Sequence, residues 1–292
     1  MHNLNLYIKH NPTLMKLISP IINIRRHFLR KNIEIKIEVY NKLCEILVTD
    51  PVIHVDEFNG IFLIDKRSTL FRRILVEGYY EPKLTKYCSQ YIDFNKDVID
   101  VGANIGFYSV LCAKRINHCN KVLSIEPTKN AFEKLIHNLK LNEVNLKVIS
   151  YNGVASNIIG EVEINTVIGK EEYSSLGAMS HPSISRDSYT SCKVESSTID
   201  SLVEKYSLKP GFIKIDVEGA ENLVLEGCQK VLTENHPVIL MEVSDALLKQ
   251  NGSSAKGVID MISSYGYDII DPAFPKELPG GRSYGDILCI PK

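Results

Sequence analysis

The chain has 292 residues, 44% of them hydrophobic and 24% charged, with a formal net charge of -1. That length and apolar content suffice for one sizeable core plus an accessory region and exclude a disordered or fibrous chain. The near-zero charge removes the basic field a nucleic-acid binder uses, and no apolar run is long enough to span a bilayer.

Residues 1 to 36 carry seven bases, Lys9, Lys16, Arg25, Arg26, Arg30, Lys31 and Lys36, against one acid, Glu34. Leu14, Leu17, Ile18, Ile21, Ile22, Ile24, Phe28 and Leu29 are interleaved with them. Two readings stand: a helical cap packed on the main domain, or a segment resting on an anionic membrane surface. Val52 to Val55 and Gly60 to Ile64 read as a hairpin around Asp56-Glu57-Phe58-Asn59, followed by a short helix and Gly78-Tyr79-Tyr80-Glu81-Pro82. Residues 1–95 are thus expected to form an accessory cap. Seven scattered cysteines, none in a Cys-x-x-Cys, point to reduced thiols. No signal-peptide pattern follows Met1, and a cytoplasmic location, with the membrane periphery as the variant, is the expectation.

From Asp97 short apolar runs alternate with amphipathic stretches, the mark of a βα series. Val98 to Val101 is a buried strand, followed by a glycine-bearing turn and a helix over Gly106–Ile116. Lys121–Glu126 is a second strand, Asn130–Leu141 a helix and Leu146–Tyr151 a third strand. Residues 153–195 break the rhythm with a hairpin segment at Glu161–Val167 and a Ser/Gly-rich loop running through His181, a pattern that suits a lid-like insertion. A helix over Thr198–Tyr206, a strand over Phe212–Asp216 and a helix over Ala220–Leu232 follow. Beyond them come a strand over Val238–Val243, a helix over Gly257–Ser264 and final strands at Tyr267–Ile270 and Asp286–Ile290. The last two strands lack an intervening helix, so one of them is expected to run antiparallel. Residues 96–292 form the main domain.

The turn after the first of these strands carries Asp100, Gly102, Ala103, Asn104 and Gly106. Ligands of open parallel sheets bind at the carboxyl ends of the strands. Gly102 allows close approach of backbone to ligand, Gly106 lets the helix start against the strand, and Asp100 offers a carboxylate to a cation such as an α-ammonium. The spacing is not Gly-x-Gly-x-x-Gly, so the pyrophosphate cradle of nicotinamide enzymes is absent. Glu126, followed by Pro127, ends the second strand where an acid can accept from both hydroxyls of a ribose. A nucleoside cofactor without a pyrophosphate fits these residues. Asn152 and Gly153 follow the third strand at the adenine edge.

The blocks Gly78-Tyr-Tyr-Glu-Pro82, VIDVGANIGFYS, Ile125-Glu126-Pro127, NLKLN at 138–142, SSTIDSL at 196–202, IKIDVEGAE at 213–221 and Met241-Glu242-Val243 resemble the FkbM-type S-adenosylmethionine-dependent methyltransferases over roughly residues 75 to 245. The resemblance implies a class I methyltransferase (Rossmann-like) α/β fold, with a seven-stranded sheet of order 3-2-1-4-5-7-6 and an antiparallel seventh strand. It also implies S-adenosyl-L-methionine as cofactor, contact with it near Tyr79 and Glu81, and Asp216 and Glu218 bordering donor or acceptor.

A sulfonium methyl is already activated, so the enzyme must align an oxygen nucleophile and take its proton late. Candidates for that base are Asp216 first and Glu242 second, then Glu218 and His181. Glu221 reads equally as a helix-terminus acid. No His/Cys/Asp cluster has metal spacing, so no dedicated metal is expected, although a magnesium ion between Asp216 and Glu242 is compatible with the pattern. The expected acceptor is a hydroxyl of a glycan or natural-product intermediate, with no nucleic acid as partner. An amine acceptor, a nicotinamide-dependent reductase and a non-catalytic binding module are the alternatives.

Overall fold

The computed structural model describes residues 31–47, 49–167, 175–176, 189–271 and 284–292. His181 and the basic residues before Lys31 lie outside them. The chain divides into two compact units, one drawn from the chain up to Thr49 with Thr69–Tyr80, the other from Asp50–Ser68 with Glu81–Lys292. In the first, residues 31–46 are helical (α1) and Thr69–Glu77 forms α2. Lys36 Nζ donates to Val76 O at 2.8 Å, and the Tyr40 and Phe71 rings meet at 5.9 Å.

The second unit opens with an antiparallel hairpin, β1 (Val52–Val55) and β2 (Gly60–Leu63), turned through Asn59 at φ 54°. α3 (Pro82–Tyr91) starts on a proline, whose missing N–H costs nothing in a first turn. Then come β3 (Asp97–Val101), α4 (Phe107–Arg115), β4 (Val122–Ile125), α5 (Lys129–Leu141) and β5 (Val148–Tyr151). After an insertion built on β6 (Val154–Ala155), β7 (Gly160–Val167), β8 (Ser175–Leu176) and β9 (Tyr189–Ser197), the series resumes. It runs through α6 (Ile199–Tyr206), β10 (Pro210–Ile215), α7 (Glu221–Glu226), α8 (Gln229–Glu234) and β11 (Val238–Ser244). α9 (Asp245–Gln250), α10 (Ala255–Ser264), β12 (Tyr267–Ile270) and β13 (Tyr284–Pro291) complete it.

The main sheet has the order β12-β13-β11-β10-β3-β4-β5. Counted within the sheet, that is 3-2-1-4-5-7-6 from the β5 edge, and its seventh strand, β13, runs antiparallel to both neighbours. Strand order reverses between β3 and β10, which places a crevice at their carboxyl ends. One face of these strands (Ile99, Val101, Leu123, Ile125, Ile213, Ile215, Ile239, Met241) is wholly apolar and forms the core with α6, α7, α8 and α10.

Three local features differ from the sequence expectation. The single helix over Ala220–Leu232 is two, because the chain bends at Gly227, where a β-carbon would stand 2.0 Å from Ser156 O. Asp200 then caps the second of them, accepting from Lys230 N and Val231 N at 2.9 Å each. β7 pairs along its whole length with β9, so the insertion contributes a second, four-stranded sheet in place of a local hairpin. The segment Pro82–Tyr91 is helical; its apolar signal was diluted by Lys83, Thr85, Lys86 and Gln90.

Candidate functional site

At the crevice, Gly102 N and Ala103 N both donate to Ile125 O, at 3.0 and 2.9 Å, so the turn is stitched to the end of β4. Gly102 (φ 76°), Asn104 (φ 49°) and Gly106 (φ 88°) all lie in the left-handed region. The glycines serve the scaffold as well as any ligand. A β-carbon on Gly102 would overlap Asp216 O, and one on Gly106 would stand 2.5 Å from Leu135 Cδ1 of α5.

Glu126 is buried beside this turn. Its Oε2 accepts from Asn104 N at 2.8 Å, and its Oε1 from Thr128 N at 2.8 Å and Thr128 Oγ1 at 2.6 Å. Burial pushes the carboxyl up, and the Thr128 and Asn104 hydrogen bonds oppose that shift. Of about four lone-pair sites on a carboxylate, three are taken, which leaves one acceptor position on Oε2. Asn152 does not enter the crevice through its amide donor; Nδ2 donates to Glu126 O at 2.8 Å and Pro127 O at 3.2 Å, propping the loop that carries the acid. Gly153 admits the β9 backbone, since a β-carbon there would meet Glu195 O at 2.6 Å.

The second face of the sheet carries a polar row. In register across the strands stand Ser150, Ser124, Asp100 and Lys214. Asp100 is 0% exposed; its Oδ2 accepts from Ser109 Oγ at 2.6 Å, and Ser109 Oγ accepts from Ser124 Oγ at 2.7 Å. Asp100 Oδ1 is buried without a hydrogen-bond partner among the described residues. Burial raises this carboxyl, and the Lys214 charge and the Ser109 bond draw it back down.

Lys214 was given no role from the sequence, although a lysine inside the apolar run Phe-Ile-Lys-Ile was the available signal. It is 6% exposed. Nζ sits 3.0 Å from Asp216 Oδ2 and 4.6 Å above the Tyr108 ring, whose hydroxyl donates to Glu81 Oε2 at 2.8 Å. Desolvation opposes the ammonium, but Asp216, Asp100 and Glu81 together hold it charged, well above the usual lysine range. Asp286 joins this group from β13, directly opposite Glu242 in the β11 register. Burial and the charges of Glu81 and Asp216 push Asp286 up to about 6.

Asp216 follows β10, on the same face as Lys214 because strand residues two apart share a face. Glu218 sits half-buried in the next turn at φ 51°, which costs a non-glycine residue roughly 1–2 kcal/mol. Glu221 is buried: Oε1 accepts from Gly219 N at 2.9 Å, Oε2 has no hydrogen-bond partner among the described residues, and burial raises the carboxyl to about 7. The structure therefore gathers Asp100, Gly102, Ala103, Asn104, Gly106, Glu126, Pro127, Asn152 and Gly153 at the β3–β4 edge. It places Glu81, Asp216, Glu218 and Glu242 about the β10–β11 edge. Tyr79 is exposed and belongs to the other compact unit. Among the described residues no group of three or more His, Cys, Asp and Glu side chains could hold a metal ion, and Cys88, Cys112, Cys119, Cys192, Cys228 and Cys289 are free thiols.

Residues 100–269, more than half of the chain, match the Methyltransferase FkbM domain. The chain belongs to this family. Its FkbM domain runs from Asp100 into β12, so the match contains Asp100, Glu126, Lys214 and Asp216. S-adenosylmethionine is the methyl donor of such methyltransferases. Among curated proteins, the hexuronic acid methyltransferase AglP of Haloferax volcanii is 29% identical over 143 residues, covering 48% of this chain and 53% of the relative. The match thus spans about half the length of that relative. Among solved structures, the FkbM methyltransferase of Methylobacillus flagellatus KT shares 15% identity over 87% of this chain and 58% of its own, with a TM-score of 0.46. The O-methyltransferase of Bacillus cereus shares 14% identity over 89% of this chain and 100% of its own, with a TM-score of 0.44.

Proposed function

We propose that this FkbM chain is an S-adenosylmethionine-dependent O-methyltransferase acting on a hydroxyl of a sugar, glycan or related natural-product intermediate. The observation that carries the cofactor assignment is Glu126, a buried carboxylate pinned by Asn104 and Thr128 with one acceptor position left for a ribose hydroxyl. Asp100 Oδ1 is a buried acceptor that no described residue satisfies. Carboxylates also dominate the crevice, which suits a ligand bearing a sulfonium and an ammonium. These residues fit the group. The sugar class of the relative, a hexuronic acid methyltransferase, supports the acceptor assignment.

When bound, S-adenosylmethionine supplies a methyl group on sulfonium that needs no further activation. The residues of this chain have three tasks: to hold the ribose through Glu126, to orient the acceptor hydroxyl, and to receive its proton. Asp216 suits the last role. Its side chain is 30% exposed, and Lys214 holds it through Oδ2. Glu242, on β11 beside it, is the second candidate. We assign acceptor choice to the part of the second unit that departs from the bare βα series, the insertion carrying β6, β7 and β9.

Calorimetric titration of S-adenosylmethionine and S-adenosylhomocysteine into wild type and Glu126→Ala tests the cofactor site. Micromolar binding that weakens roughly ten- to hundredfold in the variant, about 1.5–3 kcal/mol, is expected. Absence of binding in a folded wild type rejects the proposal. A panel of sugars and amino sugars, read by S-adenosylhomocysteine formation and product mass, then tests the acceptor; an N-methylated product overturns the oxygen assignment.

A further inference from the structure

We propose that Lys214 is a positioning residue for methyl transfer, its buried ammonium fixing the Asp216 carboxylate by Oδ2 so that Oδ1 is presented to the acceptor hydroxyl. The inference deepens the functional reading above and rests on Asp216 as proton acceptor. Lys214 has little reason to be in this strand on stability grounds. Burying an ammonium costs several kcal/mol, and apolar replacements of buried ion pairs are often neutral or stabilising. The same row of the sheet shows the apolar solution next door, with Leu240 on β11 and Leu288 on β13 in register with Lys214. A leucine at 214 would extend that packing.

The geometry around Nζ instead forms a socket with a direction. The Tyr108 ring lies 4.6 Å below the ammonium, a cation–π seat. Tyr108 is itself fixed by its hydroxyl bond to Glu81 Oε2 at 2.8 Å. Asp100 stands across in the neighbouring strand, in register with Lys214. Asp216 bonds Nζ directly, at 3.0 Å. Exposure rises along this line, from Asp100 at 0% and Lys214 at 6% to the Asp216 side chain at 30%. The fixed cation is therefore under the floor of the crevice, and the carboxylate it holds is at the surface of that floor.

In the transfer, an O–C bond forms and the C–S bond breaks with its electron pair passing to sulfur, while the acceptor proton moves to Asp216 Oδ1. A carboxylate free to rotate would present Oδ1 only part of the time, and misplacement by about 1 Å can cost on the order of a hundredfold in rate. Lys214 removes that freedom without touching acceptor or donor.

The test uses the full chain with Lys214→Met and Lys214→Arg. In Lys214→Met, S-adenosylhomocysteine affinity within about threefold of wild type is expected, and the crystal structure of that complex is expected to show the Asp216 carboxylate displaced. With the acceptor from the panel above, kcat should fall about fiftyfold or more with little change in KM. Lys214→Arg, which keeps the buried charge but alters the donor geometry, should lose roughly five- to twentyfold, and it decides the matter if Lys214→Met does not fold. Lys214→Met combined with Asp216→Asn should be no slower than Asp216→Asn alone, whereas a merely structural lysine gives additive losses. An unmoved Asp216, wild-type kcat in the substituted enzymes, or a loss confined to cofactor affinity overturns the proposal. Failure of the functional reading is distinguishable, since there wild type itself neither binds the nucleoside nor turns over.

Discussion

A β-carbon on Gly102 would stand 1.8 Å from Asp216 O, at a residue whose φ is 76°. The glycine thus joins the two strand ends that form the crevice, and its loss strains both. Gly102→Ala should destabilise the fold by at least about 1–2 kcal/mol from the left-handed backbone alone, with the overlap adding to it. Nucleoside affinity should fall together with the urea midpoint. If affinity is lost while the midpoint holds, the glycine serves ligand approach only. Glu126 and Asp216 stood out in the sequence because an apolar run ends on each. Lys214 and Tyr108 did not, because periodicity assigns a residue to a face without telling what lies across that face. Lys214 becomes intelligible only when Asp100, a hundred-odd positions earlier, is seen in register with it.

At the level of elements, the β1–β2 hairpin is held to α5 by two asparagines one helical turn apart. Asn138, 0% exposed, accepts from Leu63 N at 2.7 Å and donates to Leu63 O at 3.2 Å and Ile105 O at 2.9 Å. Asn142 accepts from Ile61 N at 2.9 Å and donates to Ile61 O at 2.6 Å. Their amides take the place of a neighbouring strand along the free edge of β2. Phe58, Phe62 and Phe107 pack behind it with centroids 5.1 to 6.0 Å apart, and Lys134 of α5 bonds Asp50 and Asp65 at the hairpin's two ends, at 2.9 and 3.4 Å. Asn138→Ala leaves several buried backbone groups unpaired and should cost about 3 kcal/mol. Hydrogen exchange checks it: Ile61 and Leu63 amides should exchange much faster, with β4 and β5 unchanged. Uniform acceleration across the sheet would mean that the hairpin is no separate unit of stability. The Asn-x-x-x-Asn spacing was visible as a family block, but its purpose was not, since the partner strand lies about 75 residues upstream.

Over the whole molecule, burial of acids makes folding sensitive to pH in an unusual direction. Glu221 is raised to about 7 from 4.5 and Asp286 to about 6 from 3.8; Asp100 and Glu126 are raised as well. The folded state then holds protons that the unfolded chain has released, so stability declines as pH rises from about 4 through 7. For Glu221 alone the linkage is on the order of 3 kcal/mol. The ligand-free protein should melt at a higher temperature at pH 5.5 than at pH 8. Glu221→Gln, which mimics the protonated acid, should raise Tm at pH 8, leave it nearly unchanged near pH 5, and flatten the profile between. A Tm that climbs with pH over that range, or a variant destabilised equally at both ends, contradicts the assignment.

The alternation of apolar runs, the glycine turn and the terminal pair of strands were enough, from sequence alone, to specify a parallel sheet with one antiparallel strand in its last pair and the end at which its crevice opens. These are local signals, set by side-chain period and by the stereochemistry of the right-handed crossover. Only the tertiary structure decided which carboxylates are buried, which are pinned by backbone donors, and which share a cation. Burial and charge pairing depend on the strands that stand side by side, and neighbours in this sheet are far apart in the chain. The same polar residue therefore reads as surface in the sequence and as the floor of the crevice in the fold.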